Sequence, residues 1–222
     1  MKAMILCAGR GERLRPLTDH TPKPLLQAGK KRIVEYTIEA LAKAGLTHII
    51  INTAHLAEQF PQLLGDGSRY GIHIDYVTEG EQALETAGGI INALPLLGES
   101  AFIVVNGDIW TDYPFERLVA QDLGEALCHL VMVTNPAHNA NGDFAINQHQ
   151  QLIIADQDQL TFSGIGLYHP DLFKTFPKGK RALKSVFLEA IERGRITAEH
   201  YLGQWSDIGT QERLAELSKL KT

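Results

Sequence analysis

The stretch Leu6–Leu25 reads LCAGRGERLRPLTDHTPKPL, near the start of a chain of 222 residues. The apolar run Ala3–Ala8 predicts a strand, and the turn Gly9-Arg10-Gly11 follows it directly. Open α/β sheets bind ligands at the carboxyl ends of their strands, and glycines let backbone N–H groups approach an anion closely. The stretch therefore predicts an α/β fold with an anion site at this turn.

Fixed cations surround the glycine turn. Arg13 and Arg15 lie in an apolar, proline-bounded segment rather than on a polar helix face. Pro22 and Pro24 restrict the backbone on both sides of Lys23, so a stiff loop presents its ammonium group. Such a group can stabilise the negative charge that grows on a phosphate during attack. We predict a triphosphate site that combines the backbone amides of the turn with these three cations.

Two widespread nucleotide-binding patterns do not fit this stretch. A dinucleotide-binding turn needs G-x-G-x-x-G at the start of a long helix, but Leu14 occupies the third glycine position and Pro16 interrupts the helix. The P-loop pattern G-x-x-x-x-G-K-[ST] is absent. The phosphates must therefore be held by another arrangement.

Strand and helix signals alternate from the amino terminus to about residue 110. Further strands are predicted at His48–Asn52, His73–Val77 and Phe102–Asn106, and helices at Ile33–Ala44, His55–Leu64 and Thr86–Leu94. This alternation favours βαβ units, a mostly parallel central sheet and helices on both faces.

The pattern becomes looser after residue 110. Helices are predicted at Phe115–Gln121, Leu183–Glu192 and Glu212–Lys221, and strands at Leu127–Val133, Ile196–Tyr201 and, shorter and antiparallel, Asp143–Asn147, Leu152–Ala155 and Thr161–Tyr168. No repeat or Pro/Gly-rich linker divides the chain. We expect one domain over residues 1–222, with a nucleotide half at about 1–110 and a substrate half at about 111–222.

Two aspartates far apart in the sequence are candidate metal ligands. Asp108 follows an apolar strand in VVNGDI, and Asp207 lies in GQWSDIGT between apolar residues. Mg²⁺ prefers a few carboxylates together with phosphate oxygens, so these two would suffice if their turns converge; otherwise each forms a turn or caps a helix. His48, His55 and His73 lie in or beside strands, and we expect them to be structural rather than ligands.

Bulk composition excludes several classes of protein. A formal net charge of −5 argues against a dedicated nucleic-acid binder. The first apolar run is too short for a signal peptide, and the chain has no apolar span of about 18 residues, which argues against a membrane protein. Cys7 and Cys128 lie in apolar runs without metal-ligand spacing, as buried reduced thiols do. We expect a soluble, cytoplasmic protein.

The opening stretch, with VNGDI at 105–109 and WSDIG at 205–209, resembles the sugar-1-phosphate nucleotidyltransferase family. The family pattern is L-x-A-G-x-G-x-R-L, then P-L-T and P-K-P, and the later motifs follow in order. The resemblance implies a Rossmann-like nucleotidyltransferase fold with a mostly parallel sheet flanked by helices and a small antiparallel sugar-binding portion. It also implies that the phosphate of a sugar 1-phosphate attacks the α-phosphorus of an NTP and that pyrophosphate leaves.

The same resemblance assigns roles to matching residues. Gly11, Glu12 and Arg13 would hold the triphosphate, with Arg13 assisting the departure of pyrophosphate. Lys23 would contact the α-phosphate, and Asp108 would bind Mg²⁺ together with the second aspartate of the pair. The catalyst would align two anions in line and screen their repulsion, without a covalent intermediate.

The resemblance places base selection after the third long strand. Glu79 stands about where many members have a base-reading glutamine, and Gln82 is a rival for that role. Thr86 and Gly88 resemble uridylyl-transferring members, whereas thymidylyl-transferring ones tend to carry a Gly-Leu-Ala triplet; as a bare pattern, T-A-G-G is equally a helix start. We expect UTP to bind at Glu79 and Thr86.

The sugar half departs from the commonest family pattern. The Glu-Lys-Pro triplet, whose lysine reaches the sugar phosphate, is absent from Leu152–Thr161, and NGDF at 141–144 and LTFSGIGLY at 160–168 stand out instead. That combination is similar to the N-acetylmuramate-1-phosphate uridylyltransferases of bacterial peptidoglycan (cell-wall) recycling. It implies N-acetyl-α-muramate 1-phosphate as the substrate and UDP-N-acetylmuramate as the product, with Asn106 and Asp143 contacting the sugar, while other cations replace the missing lysine.

Two alternatives stay open at this point. One is a mannose-1-phosphate guanylyltransferase or a glucose-1-phosphate thymidylyltransferase. The other is a non-catalytic regulatory subunit that binds nucleotide-sugars. Such a subunit would be expected to have lost Arg13, Lys23, Asp108 or Asp207, and all four are present.

Overall fold

The computed structural model describes residues 1–80 and 84–221. Within them the strands are β1 (Ala3–Leu6), β2 (Gln27–Ala28), β3 (Lys31–Arg32), β4 (His48–Thr53), β5 (His73–Thr78), β6 (Phe102–Asn106), β7 (Ile109–Thr111), β8 (Cys128–Val133), β9 (Ala145–Ile146), β10 (Leu152–Ile153), β11 (Thr161–Tyr168), β12 (Ile196–Tyr201) and β13 (Trp205–Asp207). The longer strands are rich in Ile and Val, which suit a sheet buried on both faces.

The helices connect these strands and cover the sheet. They are α1 (Leu17–His20), α2 (Ile33–Lys43), α3 (Gln59–Leu64), α4 (Glu85–Leu97), α5 (Glu116–Val119), α6 (Leu183–Glu192) and α7 (Gln211–Leu220). Among the described residues, none of these helices has the length and apolarity needed to cross a membrane.

Two predicted helices are too long. The helix predicted at His55–Leu64 begins only at Gln59, because Leu56 has a φ of 51°, which a right-handed helix does not accommodate. The helix predicted at Phe115–Gln121 spans only Glu116–Val119. For the other helices the sequence placed both ends within three residues of those observed.

A seven-stranded central sheet has the order β12-β8-β11-β6-β1-β4-β5. β1 pairs in parallel with both β4 and β6, β4 with β5, and β8 with β12. The antiparallel member is β11, which pairs with β6 on one side and β8 on the other. The predicted mostly parallel α/β sheet with flanking helices is confirmed.

The strand predicted at Thr161–Tyr168 is observed with the same bounds and is antiparallel, as expected. The sequence did not predict its place, which is inside the main sheet. Its residues are mostly buried because β6 and β8 flank it, which the apolar pattern alone could not reveal. The small antiparallel portion consists instead of two-stranded pairs, including β9 with β10 and β7 with β13.

Side chains alternate between the two faces of the sheet and form two cores. On one face, Ile5 and Ile51 pack with Ile38 of α2 and Phe60 of α3. On the other face, residues of β6 and β8 pack with α4 and α6. A third cluster joins Leu14, Ile33, Trp110, Ile208 and Leu217. It fastens the segment after the glycine turn to α2, β7 and α7, and so fixes that segment against the sheet.

Candidate active site

A cavity of about 260 Å³ lies at the carboxyl ends of the central parallel strands. Leu6 ends β1, Asn106 ends β6 and Asn52 stands one residue before the end of β4, and all three line the cavity. The chain leaves β1 toward β4 on one side and returns to β6 on the other side, which opens a crevice at this edge. The cavity coincides with the place where the sequence predicted nucleotide binding.

The glycine turn forms one wall, and both Gly9 and Gly11 line the cavity. Gly11 has a φ of 71°, and a Cβ there would stand 3.0 Å from atoms of both Lys23 and Thr18. The Gly11 carbonyl accepts hydrogen bonds from the Leu14 N–H at 2.9 Å and the Thr18 hydroxyl at 3.0 Å. A left-handed residue in such close packing requires glycine.

A second cavity, of about 210 Å³, continues from the first. Glu12, Arg13 and Gly209 line it, and Gly11 and Lys23 belong to both cavities. The two cavities therefore follow the glycine turn one after the other.

The three arginines of the opening stretch have different surroundings. Arg10 and Arg15 donate to the same carboxylate, Asp19, at 2.9 and 2.8 Å. The bond from Arg15, followed by the bond from Arg10, lowers the pKa of Asp19. Arg13 is exposed and makes no ion pair within the described part of the chain. Arg15 is thus paired with protein carboxylates and is not free to bind a phosphate group. Arg13 remains available to bind one.

Lys23 and Asp108 form an ion pair in the wall of the first cavity. Lys23 is only 8% exposed, because it stands in a 3₁₀ turn between two prolines. Asp108 uses Oδ2 for the lysine, while its Oδ1 makes no hydrogen bond within the described residues. Burial, and then the charge of Asp108, raises the pKa of the Cys7 thiol well above its ordinary value. Cys7 is therefore a neutral group behind the charged pair.

Asp207 is brought beside Asp108 by strand pairing. Asp207 of β13 is the partner of Ile109 in β7, and the Ile208 N–H donates to the Asp108 carbonyl at 2.7 Å. Asp207 Oδ1 accepts from Arg213 and lies 3.0 Å from His138 Nε2. The turns that carry the two aspartates are therefore adjacent, and the joint role of the two carboxylates as metal ligands stays a prediction.

The donor set of the two aspartates fits a hard divalent cation. Each carboxylate gives one oxygen to a protein cation, and its other oxygen makes no hydrogen bond within residues 1–80 and 84–221. Mg²⁺ is usually held by one or two carboxylates, phosphate oxygens and water. The oxygen donors of the pair match the protein share of such a site in their chemistry.

Asn52 links the glycine-turn wall to the opposite wall. It is 2% exposed; its Oδ1 accepts from the Cys7 N–H at 2.9 Å and its Nδ2 donates to Glu79 at 2.6 Å. The second oxygen of Glu79 accepts from the Leu84 N–H at 2.9 Å. Glu79 thus lines the cavity with both oxygens engaged. Sequence reasoning missed Asn52, although HIIIN ends an apolar strand with asparagine as FIVVN does.

A third cavity, of about 420 Å³, adjoins the first and shares Glu85, Thr86 and Asn106 with it. Its wall is largely aromatic and apolar, with one lysine, and is formed by Asp143, Phe144, Phe162, Ala182, Leu183, Lys184 and Phe187. Aromatic faces beside a few polar groups suit a sugar or another small polar molecule. Sequence reasoning missed the contribution of α6, including Lys184.

A bulge in β11 positions Asn106. The register of β11 against β8 shifts between Phe162 and Ile165, and Gly164 in the bulge has a φ of 79°. A Cβ on Gly164 would overlap the Asn106 amide, so the glycine makes room for this side chain. The neighbouring Ser163 carbonyl accepts from Trp205 Nε1 at 2.9 Å. Asn106 therefore stands in a fixed position between the first and third cavities.

Asp143 serves the local fold as well as the cavity. Its Oδ2 accepts from the Phe162 N–H at 2.8 Å and from the Asn139 amide at 3.3 Å. These bonds fasten the loop before β9 to β11, and they hold the Asp143 side chain in the wall of the third cavity.

The structure brings most residues singled out from the sequence to one line of cavities. Two predicted residues differ from the rest. Asp207 lies beside Asp108 through backbone pairing but outside the cavity walls described above, and Gln82 lies outside the described residues. The roles of the grouped residues stay predictions.

Comparison with known proteins identifies relatives along the whole chain. The Nucleotidyl transferase family model matches residues 2–222. The N-acetylmuramate alpha-1-phosphate uridylyltransferase of Neisseria meningitidis serogroup B is 45% identical over 226 aligned residues, covering 99% of this chain and 98% of that protein. Mannose-1-phosphate guanyltransferase beta-A of Xenopus laevis is 31% identical over 94% of this chain, which spans only 61% of that protein.

A solved structure shows the same fold. HddC from Yersinia pseudotuberculosis superposes with a TM-score of 0.83 at 22% identity, covering 100% of this chain and 99% of that chain. This likeness supports the architecture of the sheet and helices, and at this identity it supports nothing finer.

The Asn52 bridge leads to a first prediction. Asn52→Ala leaves the buried Cys7 N–H and one oxygen of Glu79 without their partner, so we expect the free energy of unfolding to fall by about 1–3 kcal/mol. Nucleotide affinity should fall as well, because both neighbours line the cavity. Urea denaturation and calorimetric titration of nucleotide measure the two effects.

Asn92→Ala is the matched control, since that half-buried amide on α4 makes no side-chain hydrogen bond within the described residues. Equal losses in the two variants would contradict a specific role for the bridge.

Proposed function

Since the chain belongs to the nucleotidyl transferase family, whose members act on an NTP and a sugar 1-phosphate, we propose that it transfers a uridylyl group from UTP to N-acetyl-α-muramate 1-phosphate. The products are UDP-N-acetylmuramate and pyrophosphate, and the reaction serves peptidoglycan recycling. The 45% identity over nearly the full length of both proteins supports this substrate pair more strongly than the guanyltransferase relatives support theirs.

One observation carries the proposal. The first cavity shares residues with a cation-containing cavity on one side and with an aromatic cavity on the other, and the Lys23–Asp108 pair lies in its wall. A triphosphate along the glycine turn and a sugar in the aromatic cavity would meet beside this pair. That is the arrangement required for a phosphate of one substrate to reach a phosphorus of the other.

Transfer is an in-line displacement between two anions. A phosphate oxygen of the sugar 1-phosphate forms a bond to the α-phosphorus of UTP, and the bond from that phosphorus to the bridging oxygen of pyrophosphate breaks. Lys23 contacts the α-phosphate and stabilises charge that develops there. The amides of Gly9 and Gly11, with Glu12 and Arg13, hold the β- and γ-phosphates.

Asp108 and Asp207 are the residues that would hold Mg²⁺, through the oxygens that protein cations leave free. When bound, the ion screens the negative charge of the phosphates. Lys23 has two roles in this scheme. Without substrate its ammonium group neutralises Asp108. With substrate the ammonium group turns toward the α-phosphate. The exchange keeps the buried ammonium group paired throughout.

We assign the base to the wall formed by Glu79 and Thr86. Because Asn52 and the Leu84 N–H occupy both Glu79 oxygens, Glu79 acts mainly by fixing the start of α4. Selection of uracil then depends on the shape of this wall. The guanylyl- and thymidylyl-transferring alternatives differ from the proposal chiefly in the base that this wall must accept.

We assign the sugar to the aromatic cavity, where Asn106 and Asp143 contact it. The sugar phosphate belongs at the boundary that the two cavities share, because it must reach the α-phosphate. Lys184 lines the third cavity but not the first, and it has no ion pair within the described residues. It is therefore placed for the lactyl carboxylate of muramate rather than for the phosphate.

The proposal extends to the domain organisation of the chain and to its cellular compartment. Residues 1–222 act as one domain, with the nucleotide half and the sugar half meeting at Asn106. The buried free thiols Cys7 and Cys128 agree with a reducing cytoplasm as the place of reaction.

The direct test is pyrophosphate release across UTP, GTP, dTTP and CTP, each with the 1-phosphates of N-acetylmuramate, N-acetylglucosamine, mannose and glucose. We expect the highest kcat/KM for UTP with N-acetylmuramate 1-phosphate, and none when Mg²⁺ is omitted. Turnover with GTP and mannose 1-phosphate but not with UTP would overturn the assignment. No turnover with any pair would favour a regulatory subunit.

Lys23→Ala should lower kcat by about 10²-fold or more, because it removes a fixed charge at the α-phosphate. The exposed Lys30→Ala is the control for loss of a lysine. Steady-state kinetics measure the effect, and thermal unfolding verifies that the variant folds. Unchanged turnover would show that the site is assigned wrongly.

Lys184→Ala should raise KM for N-acetylmuramate 1-phosphate by about tenfold or more, which is the value of one charge-assisted hydrogen bond. KM for N-acetylglucosamine 1-phosphate, which lacks the lactyl group, should change little. Lys178→Ala on the neighbouring exposed loop is the control. An equal rise for both sugars would instead place Lys184 at the phosphate.

A further inference from the structure

Three potential metal ligands lie together at the edge of the central sheet, outside the cavities described above. They are His48 at the start of β4, and His73 and Asp75 in β5. One donor atom from each lies within 4.8 Å of the other two. From the sequence, each of the two histidines was expected to have a structural role, and no link between them was predicted.

Strand pairing creates the cluster. His48 and His73 are register partners in the parallel β4–β5 pair, and Asp75 follows His73 on the same face of β5. The two imidazole rings are 5.1 Å apart, centre to centre. Because β5 is the edge strand of the sheet, the cluster is open to solvent on one side, and His73 is exposed.

The donor atoms already converge. His48 Nε2 is 2.7 Å from Asp75 Oδ2, and His73 Nε2 is 3.2 Å from Asp75 Oδ1. Each oxygen of the Asp75 carboxylate therefore lies next to one of the two imidazole rings. Donors on a tetrahedral ion with bonds of about 2.1 Å stand about 3.4 Å apart, so only small side-chain rotations are needed.

We propose that His48, His73 and Asp75 form a site for a divalent transition-metal ion of the Zn²⁺ class. Two neutral imidazoles and one carboxylate select Zn²⁺, Co²⁺ or Ni²⁺ over Mg²⁺, which prefers oxygen ligands. The open side leaves the remaining coordination positions to water.

The site is separate from the proposed active site. His48 and His73 begin their strands, whereas Asn52 and Glu79, which line the nucleotide cavity, stand four and six residues later. At about 3.3 Å per residue, the two sites are on the order of 15 Å apart along the strands. They also differ in ligand chemistry, since the active site offers carboxylates and the edge site offers imidazoles.

The test is titration of the metal-free protein with Co²⁺ and Zn²⁺ in the presence of excess Mg²⁺. We expect one Co²⁺ per chain with the visible absorption of nitrogen-ligated cobalt, displaced by one equivalent of Zn²⁺. At a free Zn²⁺ concentration about 100 times Kd, the thermal midpoint should rise by about 5 °C. His73→Ala and Asp75→Asn should remove the absorption and the rise in midpoint.

His149→Ala is the matched control, because it removes an exposed histidine from a loop outside the cluster. It should retain binding, and His73→Ala should retain uridylyl transfer. Absence of Co²⁺ uptake by the unmodified protein would overturn the proposal and leave a hydrogen-bonded His–Asp–His group. Uptake that survives His73→Ala and Asp75→Asn would overturn it as well.

Discussion

The ion pair between Lys23 and Asp108 is the interaction on which the rest of the site depends. The two residues are 85 positions apart in the chain, and each is fixed by a different device: prolines on both sides of the lysine and a strand end before the aspartate. A buried ammonium group is costly without a counter-charge. The pairing therefore holds the glycine-turn segment against the end of β6, and it neutralises the Lys23 ammonium group before any substrate enters.

Local periodicity was sufficient to predict most of the sheet. The apolar runs at β4, β5 and β6 and the helical spacing of α2 and α6 are strong patterns, and each element is long enough to keep them. Two features could not be predicted in this way: the place of β11 inside the sheet and the pairing of β7 with β13. Both depend on contacts between distant segments that leave no local pattern.

The same distinction applies to the site. Glycine, proline and lysine in the opening stretch have conformational and chemical properties that can be inferred from residue type, and so Gly11 and Lys23 could be proposed as site residues. Residue type alone could not distinguish Arg13 from Arg15, since both are arginines in one short segment. The family resemblance assigned Arg13, and the structure adds that Asp19 engages Arg15. Lys184 was missed because a lysine on an amphipathic helix looks like any solvated charge until the opposite wall is known.

The hydrogen bond from Trp205 to the Ser163 carbonyl restricts how the sugar preference of related proteins can change. It ties the strand that carries Asp207 to the bulge that makes room for Asn106, so neither segment can be remodelled without disturbing the other. The wall contributed by α6 carries no such restraint toward the aspartates. New sugar specificities should therefore be easier to acquire on that helix than on β11.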